Sequence, residues 1–107
     1  MQNSYIEIKT TFDDFDQAKK FLDLILKTKL IACGQISEIN SIYNFENKYC
    51  QEKEFLVVMK TRKHLYKKCE SFINLNHTYK TPQIVATKLI KGSKDYFDWI
   101  DQNTINE

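Results

Sequence analysis

The chain has 107 residues, 42% of them hydrophobic, with only 2 Gly and 1 Pro, and a formal charge of +2 from 16 basic and 14 acidic residues. That length gives a single domain, residues 1–107, with enough apolar residues for a core. The scarcity of Gly and Pro excludes a linker-rich chain, and so even a charge balance calls for neither a nucleic-acid partner nor a membrane surface.

Tyr5, Ile6 and Ile8 predict a first strand, roughly 4 to 10. Asp13 or Asp14 is placed to cap a helix whose first turn carries Asp16, where negative charge complements the helix dipole. Phe15, Ala18, Leu22, Ile25, Leu26 and Lys29 follow helical spacing, with Phe21 flanking the stripe. Ile36, Ile39 and Ile42 are then three apart, a spacing one face of a flat strand cannot hold, while Tyr43 and Phe45 alternate. The second strand is therefore read as long, about 32 to 46, with a bulge or kink at its middle. Glu46-Asn47-Lys48 is the turn, with Asn47 suited to a left-handed backbone. A third strand runs from about 50 to 61, and its apolar run Phe55 to Met59 predicts burial on both faces.

Thr61 is the expected cap of a second helix, whose stripe is Leu65, Cys69, Phe72 and Ile73. A polar loop containing Pro82 leads to a strand from Ile84 to Ile90. Gly92 and Ser93 break it, and Ser93 caps a short last helix carrying Tyr96, Phe97, Trp99 and Ile100. The order β-α-β-β-α-β plus a terminal helix predicts an α+β, ferredoxin-like split sheet with two helices on one face. The other face also carries apolar residues, and a second copy of the chain is the natural cover.

The apolar run 55 to 59 is far short of the roughly 20 residues a membrane-spanning helix needs. The N-terminus shows no basic patch followed by an apolar stretch, so no signal peptide is expected. Cys33, Cys50 and Cys69 form no C-x-x-C pair, which argues against a disulfide framework or a structural zinc site. The expectation is a soluble cytoplasmic protein with reduced thiols.

Ala32-Cys33, Ser41-Ile42-Tyr43, Lys60-Thr61, His77-x-Tyr79-x-x-Pro82 and Gly92-x-x-x-Tyr96-x-x-Trp99 stand in an order and spacing that resembles the CutA family of divalent-cation tolerance proteins, from about residue 5 to 101. The resemblance implies a homotrimer in which the hairpin 41 to 61 reaches across to neighbouring subunits and extends their sheets. Tyr43, Phe45, Phe55 and Val57 are then the expected interface residues. Family members linked to copper carry a first-strand Cys and two adjacent loop His, where this chain has Lys9 and Asn76-His77. The sequence thus requires no cofactor and leaves Cu²⁺ or another divalent cation as the conceivable ligand.

Among single residues, His77 is the best metal-ligand candidate, with Cys33 the second should a subunit boundary bring them together. Against that stands a loop histidine that bonds to backbone and shapes its turn. Lys60, ending a strand before a helix start, is a candidate anion contact, and Tyr79 is a second ligand-binding candidate. Glu52 and Glu54 read as a solvated pair. No Ser-His-Asp order or phosphate-binding glycine loop is present, so no enzymatic activity is expected. Two functions follow: a non-enzymatic trimer of divalent metal (copper) tolerance, or a PII-like trimeric sensor that binds a small anion between subunits.

Overall fold

A computed structural model, which describes residues 3–107, has β1 (Tyr5–Phe12), α1 (Phe15–Thr28), β2 (Cys33–Phe45), β3 (Lys48–Arg62), α2 (Tyr66–Asn76), β4 (Val85–Leu89) and α3 (Lys94–Gln102). The strands form one sheet in the order β2-β3-β1-β4, and every neighbouring pair is antiparallel. β1 and β2 are therefore parallel with β3 between them, and β3 and β4 parallel with β1 between them. Each such pair is bridged by a helix, and the common hand of these crossovers puts α1 and α2 on the same face. This is the expected α+β, ferredoxin-like architecture.

Local chemistry explains the helix starts. Asp14 accepts a hydrogen bond from the Gln17 N–H at 3.1 Å, and Ser93 accepts one from Tyr96 N–H at 3.2 Å. Ala18, Phe21 and Ile25 are the buried residues of α1, whereas Phe15 and Leu26 of the expected stripe point outward. Leu22 lies directly on Gly34 of β2: a β-carbon there would come within 2.3 Å of a Leu22 methyl, so any larger residue would require Leu22 to move. Thr61 is not a helix cap. Its hydroxyl, fully buried at the end of β3, donates to the Leu30 carbonyl at 2.6 Å. The chain instead enters α2 through one 3₁₀ turn, Lys63–Leu65, without a side-chain cap.

The main core lies between the sheet and α1–α2 and contains Ile6, Ile8, Phe12, Phe21, Ile25, Val57, Met59, Cys69 and Ile73. α3 packs on the opposite face at the Tyr5 end, where the rings of Tyr5 and Phe97 stack at 4.1 Å. Ile100 and Ala32 complete this smaller cluster. Arg62 ties the tail down. It is buried, donates to Thr104 Oγ1 at 2.8 Å and to the Ile105 carbonyl, and lies 4.0 Å from Asp101.

β2 and β3 pair without interruption from Cys33↔Lys60 to Phe45↔Lys48, so the expected bulge is absent. The threefold spacing of the isoleucines has another cause. Ile36 and Ile42 face the helix side and Ile39 the other, so a regular strand uses both faces. The turn is a two-residue type I′ connection, with Glu46 at φ 52° and Asn47 at φ 63°. β1 reaches β3 only as far as Phe12↔Phe55, and beyond that point the hairpin projects alone. The molecule measures 48 × 26 × 21 Å. Its radius of gyration, 14.6 Å, exceeds the roughly 13 Å of a compact chain this long.

Val57 is sealed in the core at zero exposure and faces the helices, which corrects its expected place at a subunit contact. One core group is out of balance: the buried Thr10 hydroxyl has no partner among the described residues. Thr10→Val keeps the shape and removes that group, so it should stabilise the protein by about 1 kcal/mol. Denaturation at fixed protein concentration checks this, and a lower midpoint would mean that the hydroxyl is satisfied in solution.

Candidate functional site

The retained motif residues fall into two clusters at opposite ends of the sheet. The first is the loop between α2 and β4. His77 ends α2 and lays its ring flat on Phe12, with centroids 4.1 Å apart and planes within 7°. Its Nδ1 accepts the Tyr79 N–H at 2.9 Å, so Nδ1 is the bare nitrogen. The hydrogen is then on Nε2, which donates to the Thr11 carbonyl at 2.8 Å. Tyr79 turns back over the sheet and donates its hydroxyl to Glu54 at 2.8 Å.

Glu54 is therefore no solvated partner of Glu52. Only 8% exposed, it sits under Tyr79 where β3 leaves the sheet, while Glu52 is exposed. The signal for this was its place directly before the apolar run at Phe55. Burial and the Glu54 carboxylate both raise the Tyr79 phenol well above its ordinary range.

The second cluster lies on the sheet face that α3 partly covers. Lys60 donates to Gln35 Oε1 at 2.8 Å and lies 3.6 Å from Glu7, which balances its charge. Cys33, opposite Lys60 in the ladder, has its sulfur 3.7 Å from the Tyr96 hydroxyl. Burial, first, and then Cys33 raise that phenol to about 12. Tyr96 stacks with Trp99 at 5.7 Å. The spacing had marked Tyr96 only as a helix-face aromatic.

These positions keep the candidates apart within one chain. Along β1 and β3 the first cluster is set by Thr11↔Leu56 and the second by Glu7↔Lys60. Four strand residues part them, roughly 13 Å. His77 and Cys33 do not meet within one chain, nor do Lys60 and Tyr79. Both His77 nitrogens are committed to hydrogen bonds, as in the backbone-bonding alternative, so no lone pair is free for a metal. Among the described residues no group of three or more His, Cys, Asp or Glu is arranged to hold a metal ion. Cys69 is a core residue whose thiol burial pushes up to about 12.

The projecting hairpin carries the remaining candidates. Tyr43 and Phe45 are exposed, and Ile42 and Tyr49 beside them are 61% and 69% exposed. Glu52, first, raises the Tyr43 phenol to about 12. Phe55, at the hairpin's base, meets Phe15 edge-on at 6.0 Å.

Sequence and fold comparisons agree with this arrangement. The profile of the CutA1 divalent ion tolerance protein family matches residues 6–103. The chain belongs to that family. It is similar to the divalent-cation tolerance protein CutA of Pyrococcus horikoshii, 32% identical over 92% of this chain and 97% of that one. It is also similar to the chloroplastic protein CutA of Arabidopsis thaliana, 32% identical over 94% of this chain and 56% of the longer relative. The solved periplasmic divalent cation tolerance protein CutA from Archaeoglobus fulgidus superposes with a TM-score of 0.90 at 30% identity, over 92% of this chain and 97% of that one.

The His77 contacts make a pH prediction. Desolvation is the largest influence on the imidazole and lowers its pKa from 6.5, against smaller raising effects of Thr11, Asp13 and Glu54. The unfolded chain therefore binds the proton more readily, and stability should fall as pH drops from about 6.5 through the lower folded-state pKa, then level off. His77→Gln should remove this dependence, measured by melting at a series of pH values. Tyr79→Phe should cost about 2 kcal/mol, because it leaves the buried Glu54 carboxylate without this donor, at any pH between 7 and 9.

Proposed function

We propose that the chain acts as a non-enzymatic homotrimer in divalent-cation tolerance. Family membership supports the cation role. The observation that carries the assembly is the hairpin: β3 from Lys48 to Glu54 pairs only with β2, and the outer edges of β2 and β4 are unpaired. Unpaired edges beside exposed Ile42, Phe45 and Tyr49 are an aggregation hazard unless other copies cover them. A closed ring of copies removes such edges and adds a cover over the sheet face that α3 leaves open.

Copper or another divalent cation is a weak, conditional ligand on this reading. Binding at His77 has to break the Tyr79 or the Thr11 hydrogen bond, which works against affinity. A cytoplasmic, reducing setting fits the three free cysteines. Relatives named chloroplastic and periplasmic show that location varies within the family.

Light scattering in dilute neutral buffer tests the assembly, with a trimer as the expected result. A stable monomer at micromolar concentration would remove the basis of the proposal. Calorimetric titration of Cu²⁺ and Zn²⁺ into wild type and His77→Gln at pH 7.5 tests the cation reading. Weak and closely similar isotherms are expected. A marked loss of binding in the variant would show that the loop opens to offer His77 to the metal.

A further inference from the structure

The helix layer carries a feature that neither the cation role nor the hairpin uses. Along the outer side of α2, Lys68, Ser71, Phe72 and Leu75 are spaced at i, i+3, i+4 and i+7 and form one face. With Leu30 and Lys67 they line a shallow, open groove of about 370 Å³. Its floor is apolar, and Leu75 beside it is 84% exposed.

The charge around this groove is mainly basic, and the chain's own Glu107 meets one of its lysines, Lys68. Lys67 and Lys68 stand in the first turn of α2, which contains no acidic residue, and exposed Lys63 lies one turn earlier. Glu70, the acid of this helix, is turned to the Tyr66 hydroxyl at 3.0 Å. Positive side chains at a helix start oppose the helix dipole, so an incoming acid gains from both. The chain itself shows the complementary pattern. At its tail Ile105 packs against the main core and donates its N–H to the Lys29 carbonyl at 2.9 Å, and two residues later Glu107 pairs with Lys68.

We propose that this groove docks an acidic peptide segment of a partner protein, with one apolar side chain of that segment resting between Phe72, Leu75 and Leu30, one carboxylate on Lys67 and another taking the place of Glu107 on Lys68. The volume is at the low end of ligand pockets, and the open, shallow form suits a chain lying across it better than an enclosed small molecule. The site is on the outer side of the helix layer, on the face of the sheet opposite α3, so assembly through the hairpin and the α3 face leaves it accessible.

The test uses the full chain and three labelled peptides in fluorescence anisotropy: acidic residues around a central Leu, the same with Ala for that Leu, and the same with Lys for every acid. Vesicles of phosphatidylcholine and phosphatidylglycerol serve as a fourth probe. Wild type should bind the first peptide saturably and bind the Ala peptide and the Lys peptide more weakly. The double variant Lys67→Glu, Lys68→Glu and the single variant Leu75→Ser should each weaken binding by about tenfold or more, and added salt should weaken it further. Lys20→Glu, an exposed change on α1, should have little effect. All the substituted side chains are exposed, and melting curves verify that the variants fold. Three outcomes would overturn the proposal: no saturable peptide binding, equal weakening by Lys20→Glu, or binding to vesicles in place of peptide.

Discussion

Every residue of β2 has a partner on β3, from Cys33↔Lys60 to Phe45↔Lys48, whereas β1 stops at Phe12↔Phe55. Two strands of a four-stranded sheet thus continue past the other two. From Ile39↔Glu54 outward the hairpin has no core beneath it, and an isolated two-stranded ribbon is marginal in water. Its own local chemistry is favourable: β-branched and aromatic residues in the strands, and a type I′ turn whose twist matches them. What it lacks is burial. The exposed apolar residues concentrate where the ladder runs alone.

The α2–β4 loop closes the junction where β1 gives out. β4 begins pairing with β1 at Val85↔Lys9, which leaves the carbonyl of Thr11 beyond the end of that ladder. The Nε2–H of His77 supplies the missing donor, and the Tyr79 hydroxyl satisfies Glu54 at the first residue of the free hairpin. A histidine suits this post because one ring both donates and accepts, and its flat face covers Phe12. A protonated imidazole loses the accepting half of that role.

What could be read from the sequence divides by the range of the interactions concerned. Asp14, Ser93 and the left-handed Asn47 act on backbone within three residues, and their roles follow from short patterns. The helix stripes were legible in outline, though Phe21 exchanged places with Leu26 because the burial arc depends on how α1 lies across the sheet. Thr61 had the composition of a cap but is buried against Leu30, a contact 31 residues away that no local pattern encodes. The isoleucines of β2 suggested a bulge because burial on one face was assumed. A regular strand with apolar residues on both faces satisfies the same spacing. At the candidate site, the motif identified His77, Tyr79, Lys60 and Cys33 individually. Their sorting into two clusters depends on strand register, and the part played by Glu54 depends on a loop folding over it.

The sheet and helix sides of the molecule consequently face different physical demands. The sheet side has unmet backbone edges and aromatic side chains, needs that another strand answers best, because a strand supplies both hydrogen bonds and apolar area in one contact. On the helix side the interiors of α1 and α2 satisfy their own backbone hydrogen bonds, and what remains open is mainly side-chain chemistry. There the apolar strip of α2 and its lysines form a weaker, more polar surface than the hairpin. Surfaces of that type suit reversible contacts, since their attraction is partly electrostatic and is lowered by salt, whereas the burial of strand edges and aromatics persists. The overlong hairpin and the groove of α2 therefore need not compete. One fold can commit its sheet to copies of itself and keep its helices for another partner.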